Sequence, residues 1–341
     1  MTAARLRLPA GALVLLLGAC GGTGAAPSQP PLGGSGPAPT VVASTATPAP
    51  PGIVLTSPHM VDDEAEGVVL MFGVAPDGSP VTETWDGQRW TSRQSASSPP
   101  ASEGVALAYD AARSQVLLFG GTVAGSPSAQ TWTWKGGSWT EQHPSASPPP
   151  RAEASAAFDA VSRVVLLFGG CCSGEQYAPM LLDDTWGWDG TTWAQRHPSA
   201  GPPARQGASL VDDPGRHRLL LFGGSLQGKT SQSSDTWAWD GHQWATLAPA
   251  RSPAPDASGS AAAPHHASGR VLLFLGYGTA AQTWTWNGAT WSLLPVDFGP
   301  PARTRWVAAE DLARGRVVLF DVVESAAQTW TWDGTAWLRS P

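Results

Sequence analysis

The chain has 341 residues, 42% of them hydrophobic, a formal net charge of -7, three cysteines and 18 tryptophans. An acidic balance with no basic block argues against a nucleic-acid partner. So few cysteines argue against a disulfide framework, so an apolar core must hold the fold.

The first twenty residues combine a basic start (Arg5, Arg7), an apolar run from Ala10 to Leu17 and small residues before Cys20. This is the pattern of an export signal, and the run is too short for a permanent membrane helix, which needs ~20 apolar residues. Leu17, Gly18, Ala19 and Cys20 resemble the lipobox of bacterial lipoproteins, which implies cleavage before Cys20 and lipidation of its thiol. Residues 21–51 are uncharged and mostly Gly, Pro, Ala, Ser and Thr, a composition that cannot bury enough apolar surface to offset its ordering entropy. They read as a flexible tether, and residues 52–341 are enough for one large all-β domain.

Within that domain a nonamer recurs: "TWTWKGGSW" (131–139), "TWGWDGTTW" (185–193), "TWAWDGHQW" (236–244), "TWTWNGATW" (283–291) and "TWTWDGTAW" (329–337), with a shortened "TWDGQRW" at 84–90. All the tryptophans except Trp306 lie in these copies. Each copy follows an apolar run containing Phe72, Phe119, Phe168, Phe222, Phe274 or Phe320, at intervals of 46 to 54 residues. Nine residues before each Phe stands a turn residue, Asp63, Asp110, Asp159, Asp213 or Asp311, with His265 in the fifth unit. A fixed period of this length marks a repeat architecture.

Each unit predicts four short strands. The first is a small-residue stretch such as "VALAY" (105–109); the second is a run such as "VLLF", apolar throughout and so buried on both faces. "TWTW" is the third, and the fourth begins at the last Trp, after an Asp-Gly, Asn-Gly or Lys-Gly pair that accepts the positive φ of a tight hairpin. The indoles of "TWTW" share a face, and the hairpin brings the last Trp beside them. One buried Trp removes up to ~250 Å² from water, at most roughly 6 kcal/mol at ~25 cal/mol/Å², so the motif reads as a core recipe ahead of a ligand-stacking platform.

The turn Asp, the apolar strand, "FGG" and "TWxWDGxxW" together resemble kelch repeats of the bacterial kind, related in fold to the central domain of galactose oxidase. The resemblance covers residues 53–341 and implies an all-β, six-bladed β-propeller with four antiparallel strands per blade, the blades spanning about 53–92, 102–142, 151–196, 205–247, 256–294 and 303–339. The diglycine is intact in blades two to four, but blade one has Gly73-Val74, blade five Leu275-Gly276 and blade six Asp321-Val322. The repeats run from a first strand near Ile53 to a fourth after Trp337, so no strand is exchanged to lock the ring. Blade one against blade six is the expected weak seam.

In such a blade the fourth-to-first and second-to-third connections open on one face of the disc, and here they are the long ones, among them residues 171–183, 225–235, 143–151 and 197–205. A ligand site is expected on that face, at the channel mouth. Arg151, Arg205 and Arg303 stand at the start of the innermost strands, with Ser102 and Asp256 in matching places. Converging arginines suit a carboxylate or an acidic glycan; the alternative is pairing with acids such as Glu103, Glu153 and Asp256. Trp306 either offers an aromatic platform or fills a gap in its strand. Cys171 and Cys172 form a vicinal disulfide or stay as two thiols, and they lack zinc-motif spacing. His265 and His266 fall in a turn on the short-loop face and read as surface histidines ahead of metal ligands.

No tyrosine and histidine cluster for a galactose-oxidase-like copper site is visible, because Tyr109, Tyr177 and Tyr277 fall at different places in different repeats. The spacing of "WDGTTW" differs from a sialidase Asp box, and paired carboxylates for glycoside hydrolysis leave no signature. No catalytic residue, cofactor or metal is singled out. The expectation is a monomeric, non-catalytic binding protein, lipid-anchored on the outer side of the bacterial cytoplasmic membrane or at the cell surface, presenting its propeller to a protein or an envelope glycan. The alternatives are a carbohydrate-active or oxidative enzyme at the channel mouth and a structural envelope spacer, since a fold alone does not give a function.

Overall fold

The computed structural model describes residues 55–171, 180–229, 232–254, 260–277, 280–295, 299–302, 306–321 and 327–340. The signal, Cys20 and the tether lie outside these residues, as do Cys172, Asp256 and Arg303.

Each repeat folds into one antiparallel sheet of four strands in chain order. In blade two these are Ala106–Asp110, Gln115–Phe119, Thr131–Lys135 and Ser138–Gln142, within a residue or two of the expected strands. The first strands of the six blades are Thr56–Asp63, Ala106–Asp110, Ser155–Asp159, Ser209–Asp212, Ser260–His265 and Trp306–Asp311. They touch their neighbours all round a ring, Thr56–Asp63 meeting Trp306–Asp311 to close it, and they line the central channel. Small residues dominate these strands because six of them converge near the axis. A short hairpin, Thr122–Val123 with Ser126–Pro127, and a two-residue pairing of Arg205–Gln206 with Ser225–Leu226 add to the long-loop face. At two residues a strand they leave no periodicity to read.

The apolar core lies between blades. A second strand buried at every position, as in Val68–Val74, supplies one face to each neighbouring blade. Leu70 and Phe72 of blade one thus pack with Val116, Leu118, Trp134 and Trp139 of blade two, and the pattern repeats around the disc.

The motif tryptophans stitch the blades together. Within a blade the fourth-strand Trp lies against the second Trp of the third strand, as in Trp134 with Trp139 at 5.4 Å. It also reaches into the preceding blade, where it meets the Phe of that second strand at 5.0–5.9 Å in an edge-on contact. There its Nε1–H donates to the Thr that opens the preceding motif, at 2.8–3.1 Å. The pairs are Trp139 to Thr82, Trp193 to Thr131, Trp244 to Thr185, Trp291 to Thr236, Trp337 to Thr283 and Trp90 to Thr329. The set closes on itself. It also corrects the reading of blade one: "TETWDGQRW" (82–90) is a full-length copy with Glu83 where the others carry their first Trp, and Thr82 keeps its acceptor role.

Among the described residues no strand is exchanged at the seam. Its core is split into two small clusters, Val69, Trp85, Ala309 and Val318, and Leu55, Met71 and Phe320. Arg314 spans it, paired with Asp311 at 2.9 Å and donating to the Gly67 carbonyl at 3.0 Å. The same side chain lies over Gly87, whose φ is +92° and where a Cβ would stand 2.2 Å from the Arg314 Nε. Only glycine fits that hairpin.

Candidate functional site

The long-loop end of the channel opens into a cavity of about 360 Å³. Alanines such as Ala106, Ala154, Ala208, Ala262 and Ala308 form much of its wall, and its polar groups include Ser57, Ser155, Ser209, Ser260, His59 and Glu153. At the rim the chain takes a left-handed conformation in successive blades, with φ of 46° at Ser57, 65° at Gly104, 56° at Glu153 and 62° at Gly207. Hydrogen bonds link these positions: Gly104 N–H donates to Ser57 Oγ at 3.1 Å, Glu153 N–H to Gly104 O at 2.7 Å, and Gly207 N–H to Glu153 O at 2.9 Å. Glu153 thus holds an exposed carboxylate at a backbone geometry that neighbouring blades give to glycine. His59 sits deeper, and burial in the disc lowers its pKa to about 4, so the imidazole is neutral at physiological pH.

Trp306 belongs to the cavity wall, but it is 7% exposed and packs edge-on against Phe274 at 4.9 Å. That geometry matches a gap-filling side chain. Arg151 and Arg205 are fully buried. Arg151 forms a two-pronged pair with Asp184 at 2.5 and 2.8 Å and donates to the carbonyls of Pro149 and Gly169. Arg205 does the same with Asp235 at 2.7 Å on both prongs and with the carbonyls of Pro203 and Gly223. Each arginine therefore ties a fourth-to-first loop to a second-to-third loop. Burial pushes Asp184 and Asp235 up, but the arginine hydrogen bond and charge outweigh it and leave both carboxyls below their ordinary value. The acids that pair with these two arginines are Asp184 and Asp235 in place of Glu103 or Glu153, while Asp256 lies outside the described residues. The signal for the pairing was present, since the residue before "TW" is Asp184 or Asp235 in these two blades but Gln130, Gln282 and Gln328 in blades two, five and six.

Cys171 is buried and disulfide-bonded, and its partner lies outside the described residues. Its backbone pairs with Ala152, next to Arg151.

The short-turn end of the channel holds a second cavity of about 360 Å³, which sequence reasoning passed over. Tyr109 and Phe158 line one side, and Asp62, Glu64, Asp212, Glu310 and His266 the other. His266 bridges three blades, with Nε2 at 3.2 Å from Asp212 and Nδ1 at 2.5 Å from Glu310, and those two carboxylates raise its pKa to about 10. Burial, with Glu64, Glu310 and Asp311 nearby, pushes Asp62 up to about 8. The surface reading of the histidines fails for His265, which is 3% exposed and hydrogen-bonded through both ring nitrogens, to Ser268 and Gly315. Among the described residues, no group of three His, Cys, Asp or Glu side chains is arranged to hold a metal ion.

Neither the protein-family models nor the curated proteins give a match to this chain. Among solved structures it is similar to one described as "Structure of YjhT", at 13% identity and a TM-score of 0.61, covering 86% of this chain and 99% of that one. A likeness at this identity speaks for the fold alone, and together with the six four-stranded blades it supports a kelch-like β-propeller.

Proposed function

We propose that this chain is an extracytoplasmic binding protein, held at a membrane through Cys20 and its tether, which uses the long-loop mouth of the propeller to hold a hydroxyl-rich envelope glycan without altering it chemically. The observation that carries this reading is the cavity at that mouth, walled by alanines and equipped with serine hydroxyls, a neutral imidazole and the Glu153 carboxylate. Sugars offer hydroxyls to such groups and C–H faces to small apolar walls. Backbone held at an uncommon φ, as at Glu153, is found where function requires a side chain in place. With Arg151 and Arg205 occupied by Asp184 and Asp235, an uncharged glycan suits the mouth better than an acidic one. Arg303 stays a proposed contact, since its repeat carries Gln328 where the other two carry an aspartate.

The test is co-sedimentation of a soluble chain beginning at residue 40 with purified cell-envelope polysaccharide. Saturable pelleting is expected, weakened about tenfold, or ~1.4 kcal/mol, by Glu153→Gln or His59→Ala. A folded chain that stays in the supernatant would overturn the glycan reading and direct the search to a protein partner by crosslinking in intact cells.

A further inference from the structure

Two of the turn aspartates receive an indole donor from the following blade, whereas the counterparts Trp85, Trp134 and Trp188 keep buried N–H groups without a hydrogen-bond partner among the described residues. Trp239 Nε1–H donates to Asp159 Oδ2 at 3.0 Å, and Trp286 Nε1–H to Asp213 Oδ2 at 3.2 Å. Asp213 takes a second donor on the same oxygen, the Arg218 Nε at 2.7 Å, and is completely buried. One carboxylate between an indole N–H and an arginine is thus the arrangement where blade four meets blade five.

Where blade five meets blade six the two donors recur without their acceptor. Arg270 precedes Phe274 by four residues, as Arg218 precedes Phe222, and Trp332 is the counterpart of Trp286. The residue that should supply the carboxylate is His265, cross-strand neighbour of Arg270. Its ring cannot serve. The Gly315 carbonyl can only accept, so Nε2 carries a hydrogen toward it at 3.1 Å, and Nδ1 faces the Ser268 hydroxyl at 2.7 Å. Trp332 is 3% exposed, yet among the described residues its N–H meets no acceptor. Among the described residues Arg270 meets no carboxylate there and donates only to the Thr285 Oγ1, at 3.5 Å. Both side chains line a cavity of about 330 Å³ together with Ser268, Thr285, Leu272 and Leu294. Unlike the sealed indole nitrogens of Trp85, Trp134 and Trp188, that of Trp332 is not fully buried, and a donor beside an arginine at the wall of a cavity favours an oxyanion.

We propose that this cavity between blades five and six binds a small carboxylic acid, whose carboxylate takes the place that Asp213 fills one interface earlier, between Arg270 and the Trp332 N–H. The Ser268 and Thr285 hydroxyls and the Leu272 and Leu294 side chains receive the body of the acid. The site is separate from the channel mouths and does not depend on the glycan reading.

The test is nitrogen-edited NMR of the full chain in detergent, following the indole N–H signal absent from Trp332→Phe. Adding acetate or benzoate should move it saturably, while benzamide, or chloride at equal ionic strength, should not. Arg270→Gln, a change at an exposed side chain, should abolish the response. His265→Asp should fill the site from within, abolish the response and raise the unfolding temperature. No saturable movement with either acid, equal movement with chloride, or an undiminished response in Arg270→Gln or His265→Asp would overturn the proposal.

Discussion

At the scale of single residues, the buried arginines and the motif tryptophans make opposite demands on a substitution. Arg151 has no exposed surface and its partner Asp184 little, so Arg151→Met should leave a carboxylate unpaired and cost about 3 kcal/mol in chemical denaturation. Removing both charges with Arg151→Met and Asp184→Leu should recover most of that loss, because the penalty lies in the orphaned charge. Trp193→Phe keeps the ring against Phe119 but loses the bond to Thr131, and a loss of about 1 kcal/mol is expected. A loss much larger than that would mean that the indole contributes mainly by its size.

At the scale of elements, the hairpin glycines separate backbone strain from close packing. Gly190 has φ of +97° and a Cβ there would lie 1.9 Å from the Arg113 Nε, whereas Gly78 has φ of +83° with nothing within 4 Å. Both changes to Ala pay the left-handed penalty of about 1 kcal/mol. Gly190→Ala should be the more destabilising of the two, because it displaces Arg113 from Asp110; equal losses would remove the packing argument. The elements themselves were largely legible from sequence, since an apolar run, a Trp pair and an Asp-Gly turn fix the strands by local rules. The site was less legible. Asp184 and Asp235 lie some thirty residues from the arginines they hold, and His266 meets Asp212 and Glu310 from two other blades. Contacts across blades follow from ring closure, which no single repeat encodes.

At the scale of the whole molecule, closure among the described residues uses no exchanged strand and so depends on side chains, some of which titrate. His266 has its folded pKa raised from 6.5 to about 10, so its contribution is complete below pH 6.5 and fades as pH rises through 10. Asp62 is raised from 3.8 to about 8 by burial, so the folded state binds its proton more tightly and stability falls from about pH 4 to pH 8. Both act in the same direction, and the thermal midpoint should be lower at pH 9 than at pH 6. Asp62→Asn should raise stability at pH 9, and His266→Gln should flatten the alkaline limb; a profile unchanged in both variants would show that the short-turn mouth has no part in it. The central claim concerns the other mouth, and amide hydrogen exchange with and without envelope polysaccharide tests it most directly. Protection should gather at residues 57–60, 105–107, 153–156 and 207–211, where the first strands meet the long loops. Protection confined to the short-turn mouth, or none under conditions where the polysaccharide pellets the chain, would contradict the account.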